Sequence, residues 1–231
     1  MANAEIVVTG ASGALGSGVV QALAKSGRRV IAVDRDEQRA HKMFAGIAGC
    51  RVLSFDISSA ESWSAALGDA PIAGAVLVAG TWKGGKRLFE AGADASWSTV
   101  MSANLETARI SLQALLPRMV LAKSGSIVAL GSRTALRPWE GAKSAAYAAS
   151  KAAVVALVQA CAAEVLQDGV RVNAVLPSTI DTPANRAAMP QHDPAQWVSI
   201  ESLAGVIEFL LSDAARDISG AAIPVFGRDG V

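Results

Sequence analysis

Two cysteines and two histidines are all this chain holds of the residues that staple or metallate small proteins. Cys50 and Cys161 have no Cys-x-x-Cys spacing, and neither has a neighbouring histidine, the only two being His41 and His192. Disulfide and metal readings are therefore set aside, and free thiols in a reducing compartment are expected. An excess of either charge is also missing: 21 Lys plus Arg face 20 Asp plus Glu, for a net charge of +1. Without a like-charge block, no electrostatic footprint for nucleic acid or an anionic membrane is expected. The opening MANAEIVVTG lacks the basic start and apolar core of a signal peptide. The longest late apolar run, 152–158, is too short to span a bilayer. A cytoplasmic location is the expectation.

What is present is apolar and rhythmic. The chain has 231 residues, 52% of them hydrophobic, enough to bury a substantial core in one domain spanning 1–231. Its mean hydropathy of +0.35 reflects alanine-rich helices and surface expected to be covered at subunit interfaces. Continuous β-branched runs at 5–9, 29–33, 51–55, 74–79, 126–130, 170–175 and 221–226 predict seven strands covered on both faces. Helical patterns fill 14–26, 37–45, 60–67, 94–121, 145–167 and 202–211. This alternation predicts an α/β fold: a doubly wound parallel sheet flanked by helices, with a cofactor half (1–125) and a catalytic half (126–231). The segment 178–197 breaks the rhythm with Pro183, Pro190 and Pro194. Following a strand at its C-terminal end, it reads as a substrate lid, the alternative being a surface excursion.

The first turn of the sheet reads Thr9-Gly10-Ala11-Ser12-Gly13-Ala14-Leu15-Gly16 and opens a helix. Glycines there let backbone approach a pyrophosphate at a helix N-terminus, although the spacing is not the strict G-x-G-x-x-G. Asp34 ends the second strand, where a carboxylate accepts from adenosine ribose hydroxyls and repels a 2′-phosphate. NAD(H) is thereby favoured over NADP(H), with Arg35 the complication, since a guanidinium can pair with that phosphate. Asp56, beside Ile57, reads equally as an adenine contact or as an N-cap for the following helix.

Tyr147 and Lys151 stand at i and i+4 on one helix face, and Tyr147 is the only tyrosine. A nearby ammonium is expected to lower the phenol's pKa and make the pair a general acid/base.

Taken in order, TGASGALG at 9–16, Asp34, Asp56, Ala79-Gly80, Asn104, SIVALGS at 126–132, YAASK at 147–151 and VNAVLPSTIDTP at 172–183 resemble the short-chain dehydrogenase/reductase family over essentially the whole chain. The resemblance implies a catalytic tetrad of Asn104, Ser132, Tyr147 and Lys151. Tyr would be the acid/base, Ser would position the substrate oxygen, Lys would hold the nicotinamide ribose and tune Tyr, and Asn would support a water-linked relay. It further implies cofactor contacts from Gly10, Ser12, Gly13, Ala14, Leu15, Gly16, Asp34, Asp56, Ile57, Ala79 and Gly80. Pro177, Ile180 and Thr182 would flank the nicotinamide. Departures are Ala14 for a glycine, Leu77-Val78 before Ala79, Ser178 after Pro177, and the 15-residue step from Ser132 to Tyr147. That step means either an insertion within 136–144 or Thr134 as the functional hydroxyl, and Ser132 is preferred because it directly follows the strand.

Within the family, AGTWKGG at 79–85 and VLPSTIDTPANRAAMP at 175–190 resemble the dihydropteridine reductases and bacterial reductases similar to them. Trp82 there reads as a stacking surface for a flat heterocycle or as a hydrophobic loop anchor. Trp139, Met189 and Trp197 are expected to line or cover the same pocket. No cationic cluster marks an acyl-carrier or phosphorylated substrate, and Lys83, Lys86 and Arg87 read as a solvated face. Three functions compete: a carbonyl/alcohol oxidoreductase, a pterin reductase, and a nucleotide sensor without turnover. The long apolar helices 94–121 and 145–167, with 220–227, imply through the family a homodimer or homotetramer.

Overall fold

The computed structural model describes residues 4–228, and of Asp94 and Ala95 the backbone alone. The β-branched stretches EIVVT and RVIAV crowd at χ1 in a helix and instead form β1 (Glu5–Thr9) and β2 (Arg29–Val33). The other strands are β3 (Cys50–Leu53), β4 (Ile72–Leu77), β5 (Gly125–Leu130), β6 (Val170–Pro177) and β7 (Ala222–Val225). All pair in parallel in one sheet of order β3-β2-β1-β4-β5-β6-β7. The winding reverses between β1 and β4, and the crevice above their C-terminal ends is where such sheets take ligands.

Period-two alternation explains why the strands are apolar throughout. Ile6 and Val8 join one core layer with α1 (Ala14–Lys25), α2 (Glu37–Phe44) and α8 (Ile200–Leu211) through Val19, Leu23, Phe44 and Ile207. Val7 between them points to the other layer. That layer packs α3 (Ala60–Leu67), α5 (Thr107–Ala122) and α6 (Ala145–Glu164) through Trp63, Leu112, Met119, Val154 and Val158. Both faces are covered, so the central strands β1, β4, β5 and β6 are buried almost throughout, while the edge strands β3 and β7 are half-buried. α6 is long and apolar enough to cross a membrane by length and composition, a property the run 152–158 alone did not signal. Here it packs along β6 with Val154, Val158 and Cys161 in the core.

Three segments depart from the sequence reading. The single helix expected over 94–121 is α4 (Ala93–Met101), one π-helical turn (Ser102–Glu106) and α5. A π turn inserts one residue and rotates the helix beyond it, and such turns collect at functional sites. The helix expected to reach 167 stops at Glu164, and a 3₁₀ turn continues the chain until Gly169 leaves it in the left-handed region. The irregular segment 178–197 holds α7 (Pro183–Ala188), capped by the Thr182 hydroxyl, and a 3₁₀ turn at Pro194–Gln196. Two of the three prolines read as breakers, Pro183 and Pro194, occupy first helical turns, where the missing N–H is no loss, and Pro190 lies between them outside any helix. The segment is closed at its base by a bridge between Ile180 and Val198, and Asp181 holds Arg186 through two hydrogen bonds of 2.6 and 2.7 Å.

At the opposite end of the sheet, buried Glu5 accepts from Arg51 Nε at 2.9 Å and Nη2 at 2.8 Å, with Arg29 at 3.7 Å. Hydrogen bonding to Arg51 holds the carboxyl below the ordinary glutamate range, against the opposing effect of burial. A depressed folded pKa adds stability above the unfolded value and loses it as pH falls through the folded one. Glu5→Gln is expected to cost about 1–2 kcal/mol at pH 7, since Arg51 stays partly hydrated. In urea titrations that gap should close on acidification. A gap of the same size at pH 3 would mean that shape, not charge, is at stake.

Candidate active site

The π turn places Asn104 where an α-helix would not, almost fully buried beside the end of β4. Its Oδ1 accepts from the Thr81 N–H at 2.7 Å, and its Nδ2 donates to the Thr81 carbonyl at 3.0 Å and to Ser150 Oγ at 2.9 Å. One side chain thus joins the loop after β4 to α6. Gly80 leaves room for it: a Cβ there would lie 2.6 Å from Oδ1.

Tyr147 and Lys151 occupy the first two turns of α6. The Tyr147 hydroxyl lies close to Ser132, in the stretch after β5, near enough for that serine to favour the phenolate. Ser132 Oγ also accepts from Thr134 Oγ1 at 3.1 Å and from the Thr134 N–H at 3.3 Å. Ser132 therefore stands against the phenol and Thr134 stands behind it. Of the long step between Ser132 and Tyr147, two 3₁₀ turns, Arg133–Ala135 and Pro138–Gly141, take up half, held by an Arg133–Glu140 ion pair of 2.7 Å.

Lys151 Nζ is buried and donates to the Leu130 carbonyl at 2.7 Å, 6.0 Å from the centre of the Tyr147 ring. Desolvation pulls this amine down to about 8. Tyr147 is pushed up by burial, and the nearby Ser132 works in the other direction. The expected lowering of the phenol by its lysine is thus reversed here: desolvation dominates, and the amine reaches for a carbonyl. A small internal cavity adjoins Lys151, with Thr9, Asn104, Thr107 and Ser111 among its walls.

At the end of β1, Gly10 takes φ +62°, with Ala79 Cα 2.9 Å from where its Cβ would be. The turn runs through Gly13, the N-cap residue, into Ala14, Leu15 and Gly16 at the start of α1. Asp34 Oδ2 accepts from the Ser12 N–H at 2.9 Å, and its Oδ1 from the Asp36 N–H at 3.2 Å. The acidic group is therefore fastened to the glycine-rich turn. Ser12 Oγ is buried without a hydrogen-bond partner among the described residues, a donor a phosphate oxygen would satisfy. An orphan hydroxyl, a helix N-terminus and a carboxylate one strand away fit a dinucleotide.

Other sequence candidates fall differently. Asp56 does not cap α3: Ser59 does, while Asp56 accepts from Ser58 N–H at 2.9 Å and Ser58 Oγ at 2.6 Å. The turn 56–59 moves the helix start beyond its reach. Arg35 lies close enough to Asp56 to help hold that carboxyl down. The Ile57 carbonyl accepts from Trp63 Nε1 at 3.0 Å. Pro177 ends β6, Ile180 bridges to Val198, and Thr182 caps α7. Trp82 and Trp139 are 60% and 71% exposed and Met189 is half-buried, whereas Trp197 is 7% exposed and counts among the buried core side chains. Trp197 is therefore set apart from the exposed Trp82 and Trp139. Thr81, Ser150 and the Leu130 carbonyl were missed by sequence reading. Only Ser150 carried a signal, standing inside YAASK one residue before Lys151.

Comparison with known proteins agrees with this geometry. Residues 4–193 match the family model for short chain dehydrogenases. A galactitol 2-dehydrogenase (L-tagatose-forming) of Cereibacter sphaeroides is 31% identical, over 95% of this chain and 92% of the relative. A solved oxidoreductase of Burkholderia thailandensis superposes with a TM-score of 0.88 at 30% identity, covering 97% of this chain and 92% of that one. A 3-oxoacyl-[acyl-carrier protein] reductase of Brucella melitensis, solved with NAD, gives 0.86 at 25% identity, covering 97% and 90%. The matching relatives are varied dehydrogenases, not dihydropteridine reductases, so the narrower likeness drawn from AGTWKGG is set aside. Short loop motifs recur across a family because one backbone geometry serves many substrates. The chain belongs to the short-chain dehydrogenase/reductase family, whose members bind nicotinamide cofactors.

Proposed function

We propose that this protein interconverts a small carbonyl compound and its alcohol with NAD(H), using Tyr147 as general acid/base. The observation that carries this reading is the half-buried Tyr147 phenol close to Ser132, with the buried Lys151 amine one helical turn further on. In the reducing direction Tyr147, held protonated by burial, delivers a proton to the substrate oxygen. Thr134 donates to Ser132 through its hydroxyl and its N–H, which turns the Ser132 proton outward, toward the phenol and the substrate oxygen beside it. Lys151 stays largely protonated at neutral pH, and its charge offsets the phenolate left behind. Asn104 holds Thr81 and Ser150 and keeps the wall of the cavity beside Lys151 in place. A bound nicotinamide would supply or accept the hydride. Gly10, Ser12 and Gly13 would take its pyrophosphate end and Asp34 its adenosine ribose, with Asp56 and Ile57 toward the adenine, and Pro177, Ile180 and Thr182 toward the nicotinamide. We read the chain as one domain working in the cytoplasm as a homodimer or homotetramer, with exposed Leu121 on α5 in keeping with a covered helix face.

Titration of nicotinamide fluorescence should show saturable NADH binding and weaker NADPH binding. Asp34→Ser is expected to tighten NADPH at least about tenfold, about 1.4 kcal/mol. NADPH binding as tightly as NADH in the parent would overturn the role given to Asp34. In a screen of ketones and secondary alcohols, Tyr147→Phe should lose about 10²–10⁴ in turnover. Ser132→Ala should lose far more than Thr134→Ala, and the reverse order would exchange their roles.

Lys151 also makes a stability statement. Its folded pKa of about 8 lies below the ordinary lysine value of 10.5, so the unfolded chain binds more protons between those limits. Stability contributed by this site therefore rises with pH across that window, and the burial cost is fully present below it. Lys151→Met is expected to unfold about 1–2 kcal/mol harder at pH 7, the loss of the Leu130 hydrogen bond offsetting part of the gain. That advantage should vanish by pH 10.5. A variant less stable than the parent at pH 7 would show the amine to be a net structural support.

A further inference from the structure

The lysines read from sequence as a solvated face do not stand apart. The loop after β4 runs Trp82-Lys83-Gly84-Gly85-Lys86 and folds back onto the turn that precedes α6. Gly85, at φ +101°, donates its N–H to the Lys143 carbonyl at 2.9 Å. Gly84 is wedged so closely that a Cβ would meet the Trp82 ring at 2.5 Å and Ser144 Cβ at 3.0 Å. This contact brings Lys83 and Lys86 to the same depression as Lys143, 57 residues or more away along the chain (143 − 86 = 57). The depression is shallow and open to solvent, with Leu88 and Trp97 as apolar walls and no acidic side chain among the described residues of its lining. Its floor is Ala145 and Ala146, the first turn of α6, whose N-cap residue Ser144 turns its hydroxyl to Gly141 instead of capping the helix. Ala146 immediately precedes Tyr147.

Three lysine side chains gather here with no acidic side chain among the described residues of the lining, so the depression favours an anion over a cation. We propose that this depression is a subsite for a compact anionic group, a carboxylate, sulfonate or phosphate, carried by the carbonyl or alcohol substrate that Tyr147 serves. The inference rests on the oxidoreductase reading and narrows its substrate class to acidic compounds. Lys86 holds the loop through the Ala91 carbonyl at 2.9 Å, so Lys83 and Lys143 are the residues to test. Lys143 adopts φ +63°, a conformation glycine takes without cost, so Lys143→Gly removes the charge while suiting the backbone.

Calorimetric titration of inorganic phosphate into the full chain saturated with NADH measures the subsite with the pyrophosphate site filled. The parent should bind phosphate, and Lys83→Gln/Lys143→Gly should bind it at least tenfold more weakly while keeping the parent's melting temperature. In turnover, the double variant should raise KM for short 2- and 3-keto acids relative to their methyl esters, with kcat for the acids held within twofold, and phosphate should compete with the acids. Equal phosphate affinity in parent and variant would overturn the subsite. Phosphate that binds through these lysines yet changes turnover without competing would make it an effector site, and would overturn the substrate assignment. Absence of NADH binding is a different failure, that of the oxidoreductase reading. Phosphate titrated into the cofactor-free chain, parent against double variant, then still reports on the lysines.

Discussion

Asn104 is the residue on which the geometry of the site turns. A buried carboxamide must find partners for both its oxygen and its nitrogen or lose more than a kilocalorie, on the order of 1–3 kcal/mol. It finds them on the Thr81 backbone and on Ser150. Satisfying those bonds requires the π turn that lets it face inward, and the glycine that clears its path. Through them the C-terminal end of β4 and the first turns of α6 are held at one separation. Tyr147 meets Ser132, and Lys151 reaches Leu130, because α6 is fixed there.

The chemistry available depends on how dry that corner is. Burial acts on the two titrating partners in opposite directions, raising the phenol and lowering the amine, because each resists becoming an isolated charge. The pair therefore rests neutral on one side and readily titrated on the other. Ser132 and Thr134 add a hydrogen-bonded pair of hydroxyls beside the phenol. The proposed cofactor end lies apart, at the end of β1, where Asp34 is tied to the backbone of the glycine-rich turn and Ser12 keeps a buried hydroxyl without a partner among the described residues. Two half-sites meet because the winding of the sheet reverses between β1 and β4.

The surroundings of the site differ in kind from its centre. Its centre is built of buried, reciprocally bonded groups. Its rim carries exposed Trp82, Leu88 and Trp139 together with lysines from two distant segments. Family membership bears on the centre. The rim is where members of one fold diverge in what they accept, since loops tolerate change that cores do not.

Much was legible in the residues alone. Continuous β-branched runs separated by helical patterns allowed only a parallel sheet covered on both faces, and all seven strands fall within two residues of those runs. Glycines after β1, Asp34 after β2, and Tyr147 four residues before Lys151 were readable because each acts through local spacing. Interactions between segments distant in sequence were not. The π turn at Asn104 exists to satisfy Thr81 and Ser150, and no periodicity reports such a bond. Asp56 read equally as an adenine contact or a cap, but Ser59 directly precedes the helix and takes the cap, while Asp56 closes the turn before it on Ser58. The direction of the Tyr147 shift depended on desolvation, which is a property of everything packed around the ring. The gathering of Lys83 and Lys86 with Lys143 depended on a glycine contact between two loops. Sequence determined which elements form and which chemistry they carry, since both depend on neighbours along the chain. Tertiary structure alone decided which charges meet and which are stripped of water, because those energies depend on distances that folding sets.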